Sequence, residues 1–201
     1  FFSGYADNSE YALKTLQAAV DGGAEVLSLC ETKGGCMLDE CYAIVQDVVK
    51  HFGTKVKVGI HSHNDSGLAV ANSLMAVKAG ATHIQGTLLG FGERTGNANL
   101  SAIMANLELK LGYQCLPEGK IRDLTPISKR VSEITNIQLN PALPFVGGNA
   151  FAHKAGMHID AVLKNPLAYE HISPESVGNE RVFLMSEVAG RATIIEKLQK
   201  I

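Results

Sequence analysis

Neither sign of charge dominates this chain: 18 Lys and Arg stand against 20 Asp and Glu in 201 residues, a formal net charge of −2. No global field therefore draws it to nucleic acid or to an anionic membrane. No apolar run approaches the ~18 residues of a membrane span. The opening Phe1-Phe2-Ser3-Gly4 has neither the charged region nor the apolar core of a signal peptide, so the expected compartment is the cytoplasm. The four cysteines, Cys30, Cys36, Cys41 and Cys115, include no C-x-x-C pair and read as small buried apolar residues rather than a disulfide framework. An initiator Met is missing too, and two aromatics leading straight into a turn suggest an interior cut. What remains is an ordinary globular composition, 46% hydrophobic and 19% charged, with length for about one domain and a remainder.

Proline is absent up to Leu116, and that stretch alternates regularly. Leu13, Leu16, Ala19 and Val20 form a helical face after a cap within Asp7 to Ser9, and Gly22-Gly23 ends it. Glu25 to Cys30 reads as a buried strand. Leu38, Cys41, Ile44, Val45, Val48, Val49 and Phe52 make a second helical stripe, stopped by Gly53. Lys55 to Ser62 is strand-like, Ser66 to Ala79 helical, and Thr82 to Thr87 a third strand, followed by a Gly-rich loop and a helix from Leu100 to Leu111. The turn at Gly23-Ala24-Glu25-Val26 is echoed at Gly80-Ala81-Thr82-His83-Ile84, two units of roughly 30 residues later. Such βα alternation predicts a parallel sheet, either open and doubly wound or part of a (β/α)8 barrel. Both gather function at the C-terminal ends of the strands.

All six prolines follow Leu116, where no strand is expected and helices are predicted near Thr125–Asn136, Ala152–Leu163 and Glu187–Lys200. The division is thus residues 1–115 as the βα part and 116–201 as linker and helical subdomain, with Asn140 to Asn149 as a mobile connection.

His61-Ser62-His63-Asn64-Asp65 closes the second strand. Alternation along a strand points His61 and His63 to one face, where two imidazoles reach a single ion, unless they are a satisfied or solvent-facing pair. Asp65 fits either a helix N-cap or a ligand. In Gly90-Phe91-Gly92-Glu93-Arg94-Thr95-Gly96-Asn97 the glycine spacing is not that of a dinucleotide site, and no Lys-Ser or Lys-Thr follows. Asn97 offers a carbonyl oxygen to a metal or caps the next helix, and Glu93 and Arg94 are expected to pair. Thr32, at the end of the first strand, offers a hydroxyl beside backbone N–H groups for a substrate carboxylate, or is there for β-propensity alone. His153 and His158, five apart, lie about 140° round a helix from one another and act separately.

Taken together, Gly59-Ile60-His61-Ser62-His63-Asn64-Asp65, Gly92-Glu93-Arg94-Thr95-Gly96-Asn97 and Lys154-Ala155-Gly156-Met157-His158 resemble the Claisen-condensing acyltransferases that include the isopropylmalate, homocitrate and citramalate synthases. Phe1-Phe2-Ser3-Gly4-Tyr5, Lys110-Leu111-Gly112-Tyr113 and Tyr169-Glu170-His171-Ile172-Ser173-Pro174 are most similar to the citramalate branch. The resemblance implies a (β/α)8 barrel in which a divalent metal, Zn, Mg, Mn or Co, binds a 2-oxo acid while acetyl-CoA supplies the carbon nucleophile. It implies His61, His63 and Asn97 as metal ligands and Thr32 as the holder of the keto-acid carboxylate. His158 becomes the acid/base and Tyr169 its partner, both reaching over a neighbouring subunit's barrel in a homodimer.

The family's opening strand, Asp-Thr-Thr-Leu-Arg-Asp-Gly, has no match, and Glu31 and Ser3 stand where Asp is usual. The chain therefore reads as the second half of the barrel, and turnover by it alone is not expected. The rival readings are a synthase for 2-oxoisovalerate or 2-oxoglutarate, a metal-dependent lyase of the hydroxymethylglutaryl-CoA type or a carboxyltransferase domain, and a non-enzymatic module whose strand edges pair with another chain.

Overall fold

A computed structural model describes residues 1–184. The described residues divide into two compact units, the first covering residues 1–103 and the second beginning at Met104. The helix expected at Glu187–Lys200 lies outside the described residues.

Unit 1 is a run of βα steps. Strands β1 (Val26–Glu31), β2 (Lys57–Ser62) and β3 (His83–Gln85) are parallel and hydrogen-bonded in chain order. Helices α2 (Ser9–Asp21), α3 (Leu38–Phe52) and α4 (Ala69–Lys78) separate the strands or precede them; α5 (Leu100–Leu109) follows β3, and its first residues close the unit. Sequential parallel neighbours without a reversal of order are how a (β/α)8 barrel is wound. Helix α2 starts where Asn8 accepts a hydrogen bond from the Tyr11 N–H (3.0 Å) and stops at Gly22. The stripe on α3 buries Cys41, Ile44, Val45, Val48 and Phe52 against Leu27, Leu29, Val58 and Ile60 of the sheet. Leu29 and Ile60, paired in register, are completely buried. The packed face is one side of the sheet; the alternate positions Ser28, Cys30, Lys57 and His61 lie on the other.

Several expectations need correcting. The opening aromatics form a helix, α1 (Phe2–Asp7), with Phe2 in the core. α4 begins three residues later than expected, because Gly67 (φ 76°) turns the chain before it. The thiols divide: Cys36 and Cys41 are buried, whereas Cys30 and Cys115 are exposed, and all four are free.

Unit 2 carries α6 (Leu124–Thr135), ended by Asn136 in the left-handed conformation, and α7 (Gly156–Lys164). It also holds strands where none was expected. β4 (Ala152–His153) pairs in parallel with β5 (Val182–Phe183), so the helix expected from Ala152 starts only at Gly156. The 140–149 segment is packed rather than a free connection. Phe145 and Val146 are buried, and the Asn179 side-chain amide donates to the carbonyls of Phe145 (2.9 Å) and Gly147 (3.0 Å).

Candidate active site

The C-terminal tips of β1, β2 and β3 are held together by the loops that leave them. The His63 N–H donates to the Glu31 carbonyl (3.2 Å), and the Asn64 N–H to that of Gly96 (3.0 Å). Ala98 N–H donates to the Ser62 carbonyl (2.9 Å), and His63 forms an isolated antiparallel bridge with Asn97. The glycine-rich loop after β3 thus folds back along the end of β2. A side chain at Gly96 (φ 97°) would strike the Gly90 carbonyl, so the fold-back depends on that glycine.

This arrangement brings three of the sequence-expected residues together. The His61 and His63 rings lie side by side, edge to face, with centroids 5.4 Å apart and planes 64° apart. Two imidazoles sharing one ion through bonds of ~2.1 Å have centroids about 5 to 5.5 Å apart when the angle at the ion is near tetrahedral. The His63 Nδ1 and Asn97 Oδ1 atoms are buried and have no hydrogen-bond partner, while the Asn97 amide nitrogen donates to the Phe91 carbonyl (3.1 Å). That bond leaves the Asn97 oxygen as the free end of the side chain. Two imidazoles and an amide oxygen, with two orphaned buried acceptors or donors among them, fit a divalent cation as a partial donor set. Among the described residues no group of three His, Cys, Asp or Glu completes such a set. Asn97 is not a helix cap; Asn99 takes that place at α5, its side chain accepting from the Ser101 N–H (3.0 Å).

Asp65 is neither cap nor neighbour of a helix start. Its carboxylate receives Arg94 Nε (2.7 Å) and Nη2 (2.9 Å), a two-pronged pair that holds its pKa below the usual carboxylate range. The N-cap residue of α4 is Leu68, which makes no side-chain cap bond; the Ala69 N–H is instead met by Asn64 Oδ1 (3.2 Å) from the preceding loop. The expected Glu93–Arg94 pair is loose, at 3.8 Å. Thr32 is exposed at the tip of β1, and its carbonyl accepts from Arg94 Nη2 (2.7 Å). That contact was invisible in the sequence, where the two residues are 62 apart.

Unit 2 places its two expected residues in direct contact. The His158 and Tyr169 rings stack with centroids 4.3 Å apart and planes 29° apart. Next to Tyr169, the buried Glu170 carboxylate receives Arg181 through two 2.6 Å bonds and lies 3.1 Å from His153 Nε2. Sequence reasoning set His153 aside as one more lone histidine and missed Glu170 and Arg181. Their one signal was a Glu inside the Tyr-Glu-His run.

Comparison with known proteins adds identity to this geometry. The HMGL-like family model matches residues 4–131, and the model described as homocitrate synthase post-HMGL domain-like matches 145–201. The chain belongs to the HMGL-like family. The (R)-citramalate synthase of Aquifex aeolicus (strain VF5) is 52% identical over 200 residues, all of this chain and 38% of that protein. The 2-isopropylmalate synthase of Sulfolobus acidocaldarius is 38% identical over 183 residues, 91% of this chain and 47% of that protein. This chain thus spans less than two fifths of the length of the citramalate synthases it matches. Among solved structures, the Bacillus subtilis HMG-CoA lyase superposes with a TM-score of 0.57 over 65% of this chain and 44% of that one, at 24% identity. The HMGL-like chain therefore has the expected fold class, parallel βα units of a (β/α) barrel followed by a helical part. No helix among the described residues is long and apolar enough to cross a membrane.

Proposed function

We propose that this chain carries part of the active site of a metal-dependent acyltransferase that condenses acetyl-CoA with a 2-oxo acid, pyruvate giving citramalate, on the way to branched-chain amino acids. The observation that carries the proposal is the pair of orphaned buried atoms, His63 Nδ1 and Asn97 Oδ1, where two imidazoles meet at the tip of a barrel strand. His61, His63 and Asn97 hold the ion; zinc suits two imidazoles and an oxygen, and magnesium, manganese and cobalt are the other candidates. When bound, such an ion supplies Lewis acidity toward the ketone of the 2-oxo acid. The Thr32 hydroxyl and the backbone N–H groups after it hold the acid's carboxylate. A thioester methyl is a very weak carbon acid, so enolisation needs a positioned base, the role assigned to His158 with Tyr169 stacked on it. Both act on the barrel of a second copy, which makes the working assembly a homodimer.

Pyruvate is favoured over 2-oxoisovalerate because identity is 52% to the citramalate enzyme and 38% to the isopropylmalate enzyme. The test has two arms. Titration of the chain with zinc is expected to show one site that His61→Ala and His63→Ala abolish. CoA release is then measured for the chain extended to the length of its curated relatives, with pyruvate, 2-oxoisovalerate and 2-oxoglutarate. Pyruvate is expected to be the preferred acceptor, and the 201-residue chain alone is expected to be inactive. Unaltered zinc binding by the two variants refutes the site; preference for another acceptor refutes the substrate.

A further inference from the structure

We infer that Arg94, anchored by Asp65, is a positioning residue for the 2-oxo acid: it fixes the peptide plane after Thr32 and so sets the groups that meet the substrate carboxylate. The inference rests on the reading of Thr32 as the carboxylate holder.

Three loops converge here, one from each strand tip. Thr32 and Gly34 follow β1, Asp65 and Ser66 follow β2, and Arg94 follows β3. Arg94 Nε and Nη2 grip both oxygens of Asp65, and Nη2 also donates to the Thr32 carbonyl at 2.7 Å. Asp65 is itself held from the other side. The Ser66 N–H (2.8 Å) and hydroxyl (2.6 Å) both donate to the Gly34 carbonyl, drawing the β2 loop onto the β1 loop. Gly34 adopts φ 67°, and a Cβ there would run into the Asp65 carboxylate and backbone nitrogen. Arg94 also sits in the left-handed region, at φ 58°, a conformation uncommon for a long side chain. Its backbone is thus turned to send the guanidinium back across both neighbouring loops.

Stability does not account for this arrangement. The Arg94 side chain is 43% exposed and that of Asp65 27%, and ion pairs so wet contribute little to stability. Geometry does. A peptide unit is planar and trans, so pinning the Thr32 carbonyl fixes the direction of the Lys33 N–H on the opposite edge. That N–H has no partner among the described residues. It is thus available as a donor to a carboxylate, together with the hydroxyl of the exposed Thr32. A guanidinium meets both Asp65 oxygens and the carbonyl at once because its donors form a rigid fork; an ammonium offers no such fork.

The test uses the chain extended to full length, with pyruvate and acetyl-CoA as substrates. Arg94→Ala is expected to raise the KM for pyruvate about tenfold, the loss of one well-placed hydrogen bond to a charged group, and to leave the KM for acetyl-CoA and the zinc affinity within about twofold. Arg94→Lys restores the charge but not the fork and is expected to rescue little. Asp65→Asn, which loosens the anchor while leaving the guanidinium, shifts the pyruvate KM in the same direction by less. Thr32→Ala removes the hydroxyl but keeps the backbone carbonyl that Arg94 pins and the Lys33 N–H that it aims, so Arg94→Ala in that background is expected to raise the pyruvate KM again, but by less than in the wild type, because both donors serve one carboxylate. An unmoved pyruvate KM, an additive double variant, or a change confined to zinc affinity overturns the inference. A wild-type enzyme that makes no citramalate overturns instead the function it rests on.

Discussion

Glu170 and Arg181 meet through two parallel 2.6 Å hydrogen bonds, yet only the carboxylate is deeply buried: its side chain is 2% exposed, the guanidinium 28%. The partners are therefore not equivalent. Removing Arg181 leaves a buried carboxylate with only the His153 ring beside it, whereas removing Glu170 leaves a guanidinium that can still hydrate. At neutral pH, Arg181→Ala is expected to cost about 3 to 5 kcal/mol and Glu170→Gln about 1 to 2 kcal/mol, measured by denaturant unfolding.

The pH dependence follows from the same pair. The Arg181 hydrogen bonds pull the Glu170 pKa below its ordinary 4.5 despite burial, with His153 adding to the pull. A carboxyl whose folded pKa is depressed contributes stability that is complete above its unfolded value and is lost as pH falls through the folded value. The stability difference between the wild type and Glu170→Gln is thus expected to be constant above pH ~5 and to narrow as pH drops below ~4. A difference that persists unchanged to lower pH removes the ionised carboxylate as its cause.

His158 and Tyr169 touch face to face, so a phenylalanine at 169 keeps the stack and removes only the hydroxyl. In full-length enzyme, His158→Ala is expected to slow deuterium exchange into the acetyl-CoA methyl group by about 10² to 10⁴, the usual contribution of a positioned base. Tyr169→Phe should cost less and leave the unfolding midpoint unchanged. Hybrid dimers provide the test of action across subunits. A His61→Ala chain mixed with a His158→Ala chain should recover activity that neither has alone, because one of the two sites is then whole. No recovery on exchange of subunits rules out action in trans.

Gly34 is where the loop lacing is most sensitive to one atom. Its φ of 67° disfavours any side chain, and the added Cβ would occupy the space of the Asp65 carboxylate. Gly34→Ala is expected to destabilise unit 1 by about 1 to 3 kcal/mol and to release Arg94 from Thr32. A thermal midpoint equal to that of the wild type, with an unaltered pyruvate KM in full-length enzyme, would count against the lacing.

What could be read from the sequence was what period and alternation encode. The stripe on α3 and the strand that runs into His61-Ser62-His63 repeat over enough residues to reveal which face each side chain takes, and the nearness of the two rings follows from that alternation. Elements too short to have a period were lost. α1 is six residues with one in the core, and β4 and β5 are two residues each, held by contacts from distant segments. Pairings across loops were lost for a related reason: nothing local distinguishes Arg94 bound to Glu93 beside it from Arg94 bound to Asp65, 29 residues back. Local propensity allowed either a cap or a metal ligand at the first asparagine of Asn97-Ala98-Asn99, and the fold caps with the second.

The thiols test the packing of the chain directly. Cys41 is fully buried, and burial together with Glu31 and Glu40 pushes its pKa up to about 12; burial first, then the charges around it, also drives the Cys36 thiol up. Only thiolate is alkylated, so both are expected to resist iodoacetamide until the chain is unfolded. Cys115 is exposed but lies beside Glu108, and partial burial and that carboxylate raise it to about 11. Two units above an ordinary thiol cut its thiolate about a hundredfold, and the greater nucleophilicity of a more basic sulfur restores about tenfold. Cys115 should therefore react roughly tenfold more slowly than an unperturbed thiol, and removing the carboxylate by Glu108→Gln should speed it. Cys30, exposed on the strand face opposite the core, should be the first labelled. Mass spectrometry of peptides after timed alkylation reads all four sites; early labelling of Cys41 would mean that α3 does not pack on the sheet as described.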